Sequence, residues 1–81
     1  MDTTGVKEML TYVAGSLVNH PEDVRVEVEE SGNAITLQLS VAAEDMGRVI
    51  GRNGRIAKEI RNLIKAMGQR ENKNISVVIL G

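Results

Sequence analysis

Eighty-one residues, 42% of them hydrophobic, make one small domain near the lower limit of what a hydrophobic core alone can stabilise. The absence of cysteine rules out disulfides and thiolate metal sites, and a single histidine leaves no second imidazole to complete a catalytic or metal-binding set. No apolar run approaches the ~18 residues a membrane span needs, and the first residues lack a signal peptide's basic and apolar regions, so a soluble, cytoplasmic protein with no membrane contact is expected.

The net charge of −1 hides an asymmetry. Residues 1–47 carry two basic and nine acidic side chains, a net of −7, and residues 48–81 carry eight basic and two acidic ones, a net of +6. A polyanion responds to such local clusters rather than to the whole-chain charge.

Taken in chain order, residues 4–18 read as a helix: Val6, Met9, Leu10, Val13 and Leu17 recur at helical spacing, and Asp2, Thr3 or Thr4 can cap its start. His20-Pro21 ends it, because the residue before proline is pushed out of the helical region. Residues 24–30 alternate Val24, Val26 and Val28 against Arg25, Glu27 and Glu29. Ser31-Gly32-Asn33 has turn chemistry, after which Ile35, Leu37, Leu39 and Val41 alternate with Thr36, Gln38 and Ser40, so this stretch is a β-hairpin with one apolar face. The acidic residues Glu22, Asp23, Glu27, Glu29 and Glu30 read as a solvated strand face rather than a metal site.

Ala42 to Ile50 reads as a short helix, with Ser40 near its start and Glu44 and Asp45 in the first turn, where the helix dipole favours acids. A glycine-flanked turn, Gly51-Arg52-Asn53-Gly54, leads into a longer helix. Stepping 100° per residue from Ile56, its side chains Ile60, Leu63, Ile64 and Met67 share one apolar arc, while Lys58, Arg61 and Lys65 fall together elsewhere with Arg55 at the entrance. Gly68, Asn72 and Asn74 stop this helix, and the β-branched run from Ile75 to Leu80 closes the chain as a strand. Met9 and Met67 fall on faces expected to enter the core.

The order α-β-β-α-α-β predicts an α+β, two-layer sandwich: a three-stranded mixed sheet with the helices on one face. If the last strand neighbours the second hairpin strand, the helical crossover makes the two parallel. Val78 and Leu80 alternate with Ile75, Val77 and Ile79, so one of those sets faces away from the helices.

Gly51–Gly54 is the candidate site. Glycine tolerates the unusual backbone angles of a tight interhelical turn and lets backbone amides approach phosphate oxygens. The amino end of the following helix adds about half a positive charge, and Arg52, Asn53, Arg55 and Lys58 lie around it. Gly-x-x-Gly recurs by chance in a chain with eight glycines, so its place between Val49-Ile50 and the Ile56/Ile60 spacing carries the weight.

In that context, Val49-Ile50-Gly51-Arg52-Asn53-Gly54-Arg55-Ile56-Ala57-Lys58-Glu59-Ile60-Arg61 resembles the signature of the KH domain, whose Gly-x-x-Gly loop clamps about four nucleotides of single-stranded nucleic acid. The element order resembles the type II KH arrangement, and residues 1–81 are expected to form a single KH domain similar to the small stand-alone bacterial proteins of the KhpA group. Ala43 departs from that pattern where many relatives place proline, and Asn53 stands where a second basic or polar residue is common. The resemblance implies that Gly51, Arg52, Asn53 and Gly54 contact phosphates, and that Ile50 and neighbouring aliphatic side chains floor a groove for bases. It also implies pairing of the chain with itself or with a larger KH-containing protein of the KhpB (Jag) type, and a role as an RNA chaperone or post-transcriptional regulator.

With Tyr12 the sole aromatic residue, the chain cannot build a base-stacking platform, so modest affinity with little sequence preference is expected. Two other readings compete with single-stranded RNA binding. One is a protein-interaction or dimerisation module with an architectural glycine turn, using the outer sheet face or strand edges. The other is a helix–turn–helix duplex-DNA reader, against which the second helix lacks an Asn/Gln base-reading row. An enzyme is not expected: there is no Ser/His/Asp set, no clustered carboxylates in an apolar setting and no Walker A spacing, and no cofactor is implied.

Overall fold

A computed structural model describes residues 4–80. Helix α1 (Thr4–Leu17) leads through a helical turn at residues 21–23 into β1 (Arg25–Ser31) and β2 (Ala34–Ser40). A second turn at residues 43–45 joins β2 to the short α2 (Met46–Ile50), and the turn at residues 52–54 joins α2 to α3 (Arg55–Gln69), which precedes β3 (Asn74–Leu80). The expected element order and mixed sheet are present. Strand β2 is central, antiparallel to β1 and parallel to β3.

Alternation fixes which sheet face is covered. The cross-strand rows Val28–Leu37–Val77 and Val26–Leu39–Ile79 face the helices. There they join Val6, Leu10 and Ala14 of α1, Val49 of α2 and Ile60 and Ile64 of α3 in one apolar cluster. The opposite face carries the rows Glu27–Gln38–Val78 and Arg25–Ser40–Leu80. Val78 and Leu80 are thus the outward set, and both are exposed.

Several local expectations change in three dimensions. Met9 is 38% exposed and Leu63 42% exposed, because the buried arc of each helix is centred slightly to one side of the apolar arc read from sequence. Ala14, Ala57 and Gly68 lie on that buried side. Gly68 does not stop α3, which continues to Gln69. Instead its missing side chain admits Ile75, and a Cβ there would lie 2.6 Å from Ile75 Cγ1. The reversal falls at Asn72, whose φ of 58° is left-handed, with the Gly68 carbonyl accepting from the N–H groups of Glu71 and Lys73.

Ser40 does not cap the helical segment after β2, which starts at Ala43 with no side-chain cap. Capping of α1 by Asp2 or Thr3 lies outside the described residues, and Thr4 is the first residue of the helix itself. At its other end α1 stops at Leu17, ahead of His20-Pro21, and the chain leaving it is held by Asp45.

Candidate nucleic-acid interface

The turn between α2 and α3 is built on backbone angles that few residues accept. Gly51 has φ 76° and ψ 175°, a region open essentially to glycine. Its bare Cα also receives Ile56, since a Cβ at this position would lie 2.6 Å from Ile56 Cγ1. Asn53 and Gly54 are both left-handed, at φ 58° and 72°. Asparagine is among the few side chains that visit this region readily, which gives Asn53 a backbone reason beside any ligand role. The turn is closed by the Gly51 N–H on the Gly47 carbonyl (2.9 Å) and the Gly54 N–H on the Gly51 carbonyl (3.2 Å).

This turn opens onto the amino end of α3, a helix of 15 residues whose aligned peptide dipoles put about half a positive charge there. Arg52, Asn53 and Arg55 are exposed and line one hollow of about 430 Å³ together with Ile56. Lys58 is exposed one turn further along. The structure therefore groups Gly51, Arg52, Asn53, Gly54, Arg55 and Lys58 around one end of α3. Ile50 lies at the end of α2, 36% exposed.

The two flanks of α3 differ. Toward β3, a groove of about 400 Å³ mixes polar and apolar lining: Arg61, Asn62 and Lys65 from the helix, and Asn74, Ser76 and Val77 among the strand residues. Toward α1, a groove of about 390 Å³ is almost wholly apolar, lined by Val13, Leu17, Ile56, Ile60 and Leu63 with Arg55 and Glu59 at its rim. The helical wheel separates Arg61 and Lys65 from the apolar arc, but the free edge of β3 as their opposite wall was not readable from it. That wall depends on β3 pairing with β2 alone.

Asp45 supports the site from behind. It is 1% exposed, and its two oxygens accept the backbone N–H groups of Asn19 (3.2 Å) and His20 (3.0 Å), while Arg48 Nε lies 3.7 Å away. The segment entering α2 is thereby tied to the chain leaving α1. The His20 imidazole lies over the same junction, with Nε2 3.0 Å from Glu44. Sequence reasoning placed Asp45 in a helical first turn and missed this role. The available signal was its spacing of four from Val49 at the other end of the same helical segment, which puts it on the buried face.

The family model described as "KhpA/KhpB, KH domain" matches residues 7–79. A Listeria monocytogenes protein named "RNA-binding protein KhpA" is 47% identical over 75 residues, covering 93% of this chain and 99% of the relative. A protein of the same name from Clostridium perfringens is 48% identical over 75 residues, covering 93% of this chain and 100% of its own length. Among solved structures, Aquifex aeolicus Era bound to GDP·AlF4− superposes with a TM-score of 0.61 at 16% identity, over 91% of this chain and 29% of Era, a likeness of fold. The chain belongs to the KhpA/KhpB family of KH domains.

Proposed function

We propose that the protein binds single-stranded RNA in the cytoplasm without catalysis, acting as an RNA chaperone or post-transcriptional regulator. The backbone of the RNA lies on the Gly51-Arg52-Asn53-Gly54 turn, with Arg55 and Lys58 beside it, and the bases continue past Ile50 into the groove between α3 and β3. One observation carries the reading: a glycine turn with two left-handed residues opens at the dipole-positive end of α3, between the exposed guanidinium-bearing side chains of Arg52 and Arg55. Relatives named as RNA-binding support the choice of ligand. The Arg52→Asp/Asn53→Asp variant tests it. The variant is expected to keep its circular-dichroism spectrum and lose binding to single-stranded RNA octamers. The wild-type log–log salt slope should be about −2 to −3.5, equivalent to three to five phosphates. Unchanged binding by the variant, or tighter binding to duplex DNA than to RNA, removes this reading.

A second reading coexists with the first. The apolar groove between α1 and α3 exposes Leu63 beside Val13, Leu17 and Ile56. An open apolar surface of this kind fits pairing with a second copy of the chain or with a larger KH-containing relative of the KhpB type. It is better suited to that role than the outer sheet face, where Val78 and Leu80 stand beside Gln38 and Ser40.

A further inference from the structure

The approach of α3 to β3 at Gly68 brings a guanidinium over the strand's free edge. Arg61 lies seven residues before Gly68, on the same flank of α3. Its Nε donates to the backbone carbonyl of Val77 at 3.4 Å. Among the described residues this is the one side-chain hydrogen bond that joins an α-helix to the sheet. The bond is long, so it orients the side chain more than it anchors it.

A guanidinium carries five N–H donors in a plane and no acceptor. One is engaged with Val77, which leaves four on a side chain that lines the α3–β3 groove. Lys65 lines the same groove one turn further along, but an ammonium is a point charge with no planar pattern and treats every acceptor alike. Of the two cations in this groove, Arg61 is therefore the one whose shape can distinguish bases, beside the amides of Asn62 and Asn74.

We propose that Arg61 is a specificity-determining residue of the groove, selecting guanine or cytosine over adenine and uracil at one nucleotide position. The proposal rests on the single-stranded RNA reading above. Two parallel N–H donors match two adjacent acceptors, which guanine offers at O6 and N7 and cytosine at O2 and N3. Adenine places an amino donor beside its ring acceptor, and uracil places its N3–H between its two carbonyl oxygens, so each accepts from one arm of the fork and opposes the other. The preference is limited to one position and sits at the low end for a bidentate arginine–base contact, because the side chain is exposed.

The test is fluorescence anisotropy at neutral pH with octamers of cytidine, adenosine and uridine, and one of alternating guanosine and uridine. Wild type is expected to bind the cytidine and guanosine–uridine octamers about fivefold to tenfold more tightly than the other two. Arg61→Lys retains the charge and removes the fork. It should level the four affinities to within about twofold while keeping the adenosine affinity and the salt slope, and Arg61→Ala should level the ranking as well. Equal binding of all four octamers by wild type, or an unchanged ranking in Arg61→Lys, overturns the proposal. If wild type binds none of the octamers, both this proposal and the RNA reading fail. Loss of binding in Arg52→Asp/Asn53→Asp with an intact ranking in Arg61→Lys leaves the RNA reading standing and removes only the role of Arg61.

Discussion

The carboxylate of Asp45 accepts the backbone N–H of His20 at 3.0 Å, across 25 residues of sequence. With Asn19 held by the other oxygen, one buried side chain fixes the exit of α1 against the entry to α2. Asp45→Ala would remove the acceptor of two backbone donors at a part-buried junction, where water can replace only some of what is lost. The expected loss is about 3 kcal/mol, since hydrogen bonds to a charged group contribute about 1.5–3 kcal/mol each. Asp45→Asn keeps one accepting oxygen and turns an amide donor toward the other N–H, so it should fall about midway. Urea unfolding of the three proteins checks the order, and equal midpoints for Ala and wild type would show that the staple contributes nothing.

The two glycines of the turn are not equivalent. Gly51→Ala meets both a glycine-only backbone region and the Ile56 side chain at 2.6 Å, and should cost about 3 kcal/mol or more. At Gly54 a Cβ finds open space, so Gly54→Ala bears only the left-handed penalty of about 1–2 kcal/mol. Thermal unfolding should rank them in that order. Shortening the partner in Gly51→Ala/Ile56→Ala should recover part of the first loss but not the backbone part.

Gly68→Ala sets two effects against each other. Alanine favours a helix interior over glycine by about 1 kcal/mol. Here, however, the added Cβ would fall 2.6 Å from Ile75 Cγ1 and 3.0 Å from the Lys73 carbonyl. Overpacking of this kind costs about 1–3 kcal/mol, so the expected net change is destabilising by about 1 kcal/mol. A rise in melting temperature would mean that α3 and β3 separate easily and that their spacing is not fixed by this contact.

Leu63→Glu tests the apolar flank. Because Leu63 is 42% exposed, the substitution should change the stability of the isolated chain by less than about 1 kcal/mol. Sedimentation equilibrium should nevertheless shift toward monomer if the groove between α1 and α3 seats a second copy. Identical association of variant and wild type would move the contact elsewhere on the surface.

What could be read from the sequence was whatever neighbouring residues decide together. Helix α3 and the β1–β2 hairpin follow from periodicities of 3.6 and 2, which a short window of chain contains in full. The glycine turn was visible because glycine and asparagine are the residues that a left-handed backbone demands. Tertiary structure decided the rest, since it alone chooses partners for groups that carry no local pattern. Asp45 looked like a dipole-compensating acid until the backbone of Asn19 and His20 reached it. Gly68 looked like a stop until Ile75 occupied its empty side. Arg61 was one of three cations grouped with Lys58 and Lys65 until the free edge of β3 gave it a carbonyl to meet. In each case the contact joins segments that chain connectivity keeps apart, and its geometry exists only once the common core has drawn them together.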